Sequence, residues 1–242
     1  MKYNKLTQFA VCASLLSAAS ASSVVLKTTD FSSAAQLLSA GAMTTAHTPG
    51  LWYTSTSTDL AISGGSLNST GASRYGFSTF FDSSTLSTIS SEYNRLRVTF
   101  DYTESYASED VYLHVMGFVD NGSNATPSTL LVNNVGTNGV TWSSNATMAD
   151  YDVYRLTDGG DMGADRSWDL AYGVQFSDDG TELSADFGVD FSAYDYITVS
   201  FGRYLGGTGF SMDNIVIEAV PEPSALALLG LGSLALVTRR KR

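Results

Sequence analysis

The side chains of this chain that could do chemistry are few and mostly acidic. Two histidines, His47 and His114, and a single cysteine stand beside 24 Asp and Glu. His114 falls within an apolar run and His47 in a Thr/Pro/Gly-rich stretch, so an imidazole-based nucleophilic triad has little to draw on. The sequence contains no H-E-x-x-H, no G-x-S-x-G and no G-K-[ST] phosphate loop. Carboxylate pairs remain. Hydrolysis of a glycosidic bond needs two of them roughly 5–10 Å apart. Glu182 with Asp186, or Glu109 with Asp110, could be drafted, but any acidic protein offers such pairs. The body is therefore expected to be non-catalytic.

Two binding chemistries are better represented. Asp158, Asp161 and Asp165 share a Gly-containing stretch, with Asp169 close behind, and hard oxygen donors on a loop suit Ca²⁺. Their spacing does not follow the EF-hand pattern, and a solvated acidic loop accounts for the same residues more simply. Asp213-Asn214 is read as a turn or strand entry, with a place in a jelly-roll metal site as the alternative. No other cofactor is implied. Trp52, Trp142 and Trp168, with loop tyrosines such as Tyr204, are the candidates for stacking on sugar rings; burial in the core is the simpler account of each tryptophan.

The elements that must position these residues read as strands. The 242 residues are 43% apolar, 15% charged and carry 28 aromatics, with about a quarter Ser and Thr and 22 Gly. That suits many short strands and polar turns around a sizeable core. Leu96, Val98, Phe100 and Tyr102 alternate with Arg95, Arg97, Thr99 and Asp101, a strand with one wet face. Val111–Val119 is apolar on both faces, which marks a central strand. Tyr172, Val174 and Phe176 alternate again, and Tyr196–Phe201 and Asn214–Ala219 read as the last two strands. Gly64-Gly65, Asp120-Asn121-Gly122, Asn138-Gly139, Asp158-Gly159-Gly160 and Gly206-Gly207 punctuate these runs, and Asp178-Asp179-Gly180 reads as a hairpin turn. Phe31, Ala34, Ala35 and Leu38 follow helical spacing between Asp30 and Gly41, a helix of at most ten residues. The fold expected is all-β, a jelly-roll-like β-sandwich over residues 22–219.

Both ends differ in kind from this body. Met1–Ala21 reads as a signal peptide: Lys2 and Lys5, the apolar Phe9–Leu16, then Ala19-Ser20-Ala21 as the cleavage signal. Cys12 lies inside it, so the mature chain has no cysteine and no disulfide. At the other end, 220–242 runs Val220-Pro221-Glu222-Pro223, an uncharged Leu/Ala-rich stretch Ala225–Val237, and Arg239-Arg240-Lys241-Arg242. The apolar stretch, helical at 1.5 Å per residue, spans roughly 20 Å of a roughly 30 Å hydrocarbon core. It reads as a short transmembrane helix with its basic cluster on the cytoplasmic side. The whole chain carries −11. Residues 22–220 alone hold seven basic residues against 23 acidic ones, a net −16, which argues against a nucleic-acid partner.

The tail resembles the PEP-CTERM sorting signal of Gram-negative bacteria. Pro221-Glu222-Pro223, the short apolar helix and the terminal Arg/Lys cluster occur in that order over Val220–Arg242. The resemblance implies processing by an exosortase, a membrane-embedded cysteine protease, and passage from an inner-membrane intermediate to the cell surface or extracellular matrix. It also implies an association with extracellular polysaccharide and biofilm. A permanent single-span anchor is the alternative. Leu60–Leu67 and Phe210–Ile217 resemble the lectin-like or carbohydrate-module jelly rolls that often precede such tails. The reading is an exported surface or matrix protein that contacts carbohydrate. A glycan-active hydrolase on the same fold, or a structural matrix component, is the alternative.

Overall fold

The computed structural model describes residues 22–40, 42–54, 60–69, 75–104, 111–122, 130–132, 134–136, 139–141, 151–157, 160–161, 173–176, 179–203 and 210–222. In chain order the strands are β1 (Val24–Thr29), β2 (Leu37–Ser39), β3 (Met43–Thr44), β4 (Trp52–Thr54), β5 (Leu60–Ser63) and β6 (Ser66–Ser69). Next come β7 (Tyr75–Asp82), β8 (Tyr93–Glu104), β9 (Val111–Asp120), β10 (Leu130–Val132), β11 (Asn134–Gly136) and β12 (Gly139–Thr141). The remainder are β13 (Tyr151–Arg155), β14 (Gly160–Asp161), β15 (Val174–Phe176), β16 (Gly180–Gly188), β17 (Tyr196–Arg203) and β18 (Phe210–Pro221). A single helical turn, α1, covers Ser83–Leu86.

These strands form an all-β sandwich. The six-stranded sheet runs β16-β8-β18-β6-β5, and β1 shares with β6 the edge of β18 away from β8. The eight-stranded sheet runs β14-β13-β9-β17-β7-β4-β2, and β15 shares with β13 the edge of β9 away from β17. Its β2–β4 pairing is parallel. The long strands alternate between sheets in chain order: β7, β9 and β17 in one, β8, β16 and β18 in the other.

Period two decides where each side chain goes. In β8, Leu96, Val98, Phe100 and Tyr102 are buried between the sheets while Arg95, Arg97, Thr99 and Asp101 are partly exposed on the other face. Phe77 stacks on Phe201 at 5.2 Å, and Phe100 meets the Phe201 ring edge-on at 5.0 Å, in the middle of this inter-sheet core. The apolar run in β9 is buried on both faces. Leu113 and Val115 enter the inter-sheet core, whereas Met116 and Phe118 enter a second core with Phe80, Tyr53, Tyr151 and Leu131. That second core lies on the far face of the eight-stranded sheet.

Several sequence expectations need correction or placement. The helix expected from Phe31 to Leu38 is a 3₁₀ turn, Ala34–Gln36, followed directly by β2. Phe31 is drawn into the inter-sheet core with φ of 44°, outside the right-handed helical region. Ser33 and Gln36 close a capping box, and Leu37 and Leu38 pair with Trp52 and Tyr53 instead of extending the turn. The segment Asp178-Asp179-Gly180 is not a hairpin, because β15 pairs with β9 and β16 with β8: the chain crosses there from one sheet to the other. Gly64-Gly65 does close a hairpin, β5–β6, with φ of 64° and 82°, the primed turn that glycine favours. Among the described residues no helix is long and apolar enough to cross a membrane. Met1–Ala21 and the apolar stretch Ala225–Val237 lie outside them.

Candidate functional site

The last strand carries the body straight into the tail. β18 pairs with β8 through Val220, opposite Arg95, and ends with Pro221 opposite Tyr93 after a register shift. Proline cannot donate to a ladder, which suits it to a strand end. Beyond it, the Glu222 carboxylate accepts a 3.1 Å hydrogen bond from Asn94 Nδ2. The other end of the described chain is held by the same short segment, for Tyr93 Oη donates to the Ser22 carbonyl at 3.2 Å. Since β1 is antiparallel to β18, with Val24 opposite Ala219, both chain ends leave the sandwich at one pole.

Two sheet-to-sheet connections complete this pole. Asp82 caps α1 by accepting from the Thr85 backbone N–H at 3.0 Å and from the Ser84 and Thr85 hydroxyls. Partial burial works against the charge of Asp82, but these bonds prevail and hold its pKa below the usual carboxylate value. Asp190 caps the 3₁₀ turn Phe191–Ala193, accepting from Ser192 N and Oγ. Between the two connections lies a cleft of about 500 Å³ bordered by Ile89, Tyr93, Asn94 and Phe191.

The outer face of the six-stranded sheet carries the charges. Asp186, Arg97 and Glu218 stand side by side on β16, β8 and β18. Arg97 bridges both acids, at 2.9 Å to Asp186 and 3.3 Å to Glu218, and Arg95 reaches Asp186 at 3.5 Å. Hydrogen bonding to Asp186 outweighs the desolvation cost, and the charges of both acids add to it, so the Arg97 pKa is raised. Further along β8, Asp101 fastens two irregularities. Its Oδ1 accepts from Glu182 N at 2.8 Å and its Oδ2 from Asn214 Nδ2 at 2.7 Å. Glu182 and Asn214 both have positive φ, 55° and 52°, at the bulges of β16 and β18.

The structure redistributes the residues picked out from sequence. Trp52 is corrected as a sugar-stacking candidate: it is fully buried in the inter-sheet core. Its indole N–H donates to Thr29 Oγ1 at 2.9 Å, its ring lies 5.1 Å from Phe77, and Lys27 Nζ sits 5.9 Å from its centroid. Burial lowers the Lys27 pKa. Trp142, Trp168, Tyr204, Asp158, Asp165 and Asp169 lie outside the described residues, as do Glu109, Asp110, Ala19, Ala21, Pro223, Arg239, Arg240, Lys241 and Arg242. Asp161 is placed only as a strand residue opposite Tyr154. Asp186 is engaged with two arginines and Glu182 stands at a bulge. Asp213-Asn214 forms a bulge within β18, and Asp213 accepts from Asn214 N at 2.7 Å. Among the described residues no group of three or more His, Cys, Asp and Glu could hold a metal ion.

The histidines take structural places. His47 Nδ1 accepts from Thr44 N at 2.9 Å, and its ring lies 4.6 Å from that of Tyr53. His114 is fully buried on β9 beside Ser200, which accepts a 2.7 Å hydrogen bond from Ser78. Sequence reading missed Tyr93 and Asn94. Their only signal is a place at the head of an alternating run, and the register of β18 alone puts them against the tail.

The comparisons follow this division between body and tail. Residues 219–242 match the PEP-CTERM protein-sorting motif. They therefore mark an exported protein that is associated with the membrane before its tail is cut. No curated protein sequence matches significantly. Among solved structures, the sandwich is similar to the CBM22-1 xylan-binding domain of Xyn10C from Paenibacillus barcinonensis: 11% identity, 84% of this chain and 99% of that one covered, TM-score 0.36. It is similar to the carbohydrate-binding module TmCBM27, described with specific mannan recognition: 11% identity, coverage 82% and 99%, TM-score 0.32. A third similar chain comes from work on endo-acting O-glycanases of human gut bacteria: 11% identity, coverage 82% and 100%, TM-score 0.33. Likenesses this slight say nothing of a ligand.

Proposed function

We propose that this is an exosortase-processed protein of the cell surface or extracellular matrix, whose sandwich is non-catalytic and contacts extracellular polysaccharide. The observation that carries the reading is the continuity of β18 with the motif. A body strand becomes Pro221-Glu222 without an intervening linker, so the sandwich is the cargo of the sorting signal. A non-catalytic body fits the engagement of Asp186 by arginines and of His47 by Thr44.

The destination is tested by the intact mass of protein recovered outside the cell. Loss of Met1–Ala21 and of the residues after about Pro221 is expected. A mass that keeps Ala225–Arg242 would replace sorting by a permanent anchor. Carbohydrate contact is tested by a glycan array on residues 22–222, and silence across neutral and acidic glycans would leave the structural-component reading. That second reading has its own support: Trp52 is buried, and the large exposed apolar side chains among the described residues are Val24 and Val25 rather than aromatic rings.

A further inference from the structure

We propose that Asn94 is a positioning residue that, with the β8 backbone at Tyr93, latches the sorting motif to the body and sets the rate at which the tail is removed. The inference rests on the sorting reading above. Pro221 lies opposite Tyr93 after a register shift, and Glu222 is held by the Asn94 side-chain amide at 3.1 Å. Only Pro223 and Ser224 separate Glu222 from Ala225, the first residue of the apolar stretch. Three residue steps of extended chain reach roughly 10 Å. With the apolar stretch in the bilayer, the pole carrying both chain ends stands at the headgroups. The membrane-embedded protease must then take its substrate directly from a sheet.

A protease that binds its substrate as an extended strand needs that backbone free to pair. The β8 edge of Val220–Pro221 is already occupied, and the Glu222 side chain is fastened as well. Cutting within this stretch therefore requires β18 to fray from its end first. Strand ends fray at low cost, so the equilibrium between latched and frayed forms multiplies the cutting rate without altering its chemistry. That chemistry is peptide hydrolysis. One C–N bond breaks, the hydroxyl of water stays on the new carboxyl end of the body, and a proton goes to the new amine of the tail.

The latch is local, so its loss is separable from loss of the fold. Asn94→Ala removes one hydrogen bond to a carboxylate at a partly exposed site, and a rate gain of roughly two- to tenfold is expected. Asn94→Asp keeps the shape, sets a second carboxylate against Glu222 and puts charge on the buried Oδ1 position, and should speed tail loss at least as much. Phe118→Leu thins the second core without touching β18, and serves as the control for general destabilisation.

The experiment is a pulse-chase of the full chain in cells that carry the processing protease, following the mass change as the tail is lost. The melting temperature of each released body is measured in parallel. The proposal stands if both Asn94 variants lose the tail faster than wild type while Phe118→Leu does not. It is overturned, with sorting left intact, if wild type and both Asn94 variants lose the tail at one rate. It is also overturned if Phe118→Leu accelerates as much as they do, because global unfolding then supplies the substrate. If every chain keeps its tail, the sorting reading falls and takes the latch with it.

Discussion

The outer face of the six-stranded sheet is polar and crossed by the Asp186–Arg97–Glu218 ladder, whereas the outer face of the eight-stranded sheet is buried, with a second core around Phe80, Met116 and Phe118 and the buried Ser78, His114, Thr198 and Ser200 on the same face. Both sheets supply the same inner core by alternation, reset at the bulges of β16 and β18. They differ in what the alternate positions carry. On β8 those positions are Arg95, Arg97, Thr99 and Asp101; on β9 they are Tyr112, His114, Met116 and Phe118. Charged side chains keep their water, and strongly hydrated groups resist being covered. Apolar side chains must be covered, and Met43 of β3 with Leu131 and Val132 of β10 do so here. Among the described residues, one sheet face thus keeps its charges partly in water, and the other is covered.

The sharpest way to break this contrast is to truncate under the covered face. Phe118 is fully buried, and its ring meets Tyr151 edge-on at 6.0 Å. Phe118→Ala should cost about 3–5 kcal/mol by loss of buried area and creation of a cavity. Urea unfolding of the body measures it, and a loss under 1 kcal/mol would mean that the second core is not tightly packed. On the open face, Arg97→Ala should cost only about 0.2–1 kcal/mol, because exposed pairs are screened and entropically costly. The loss should shrink further at 1 M salt. A salt-independent loss of several kcal/mol would contradict the openness of this face.

A third effect, read through pH, sits where the two sheets join. Asp30 stands between β1 of one sheet and β2 of the other, and hydrogen bonds from the Gln36 amide, then from Ser32, lower its pKa to about 2. The unfolded value is near 3.9. A depressed folded pKa gives stability that is fully present above the unfolded value and is lost as pH falls through about 2. Asp82 shifts in the same direction. Stability should therefore drop between pH 4 and pH 2, and Asp30→Asn should flatten part of that drop. An unchanged acid limb in the variant would rule out its contribution.

Several of these features were legible in the sequence because they depend on local repetition. The wet and dry faces of β8 follow from alternate residues, and the double burial of β9 follows from an unbroken apolar run. Gly64-Gly65 makes its turn because glycine reaches positive φ without strain. Other readings failed because a local pattern has more than one outcome. Phe31–Leu38 has helical spacing, but the inter-sheet core claims Phe31 and β4 claims Leu37 and Leu38. Asp178-Asp179-Gly180 has turn chemistry, but whether a turn closes a hairpin depends on which sheet its flanks join. Trp52 could stack on a sugar or fill a core, and only packing decides between the two.

By itself the sequence determined the tail, since an ordered run of Pro-Glu-Pro, uncharged Leu/Ala and Arg/Lys is recognised as a linear chain, and it determined the strand character of the body through period two. The tertiary structure alone decided that Tyr93 and Asn94 meet the motif, that Asp101 pins two bulges, and that one sheet face is buried while the other stays open. Each of these is a contact between residues tens to more than a hundred positions apart, set by the register of paired strands, and a shift of one residue would turn every side chain on a strand to the opposite face.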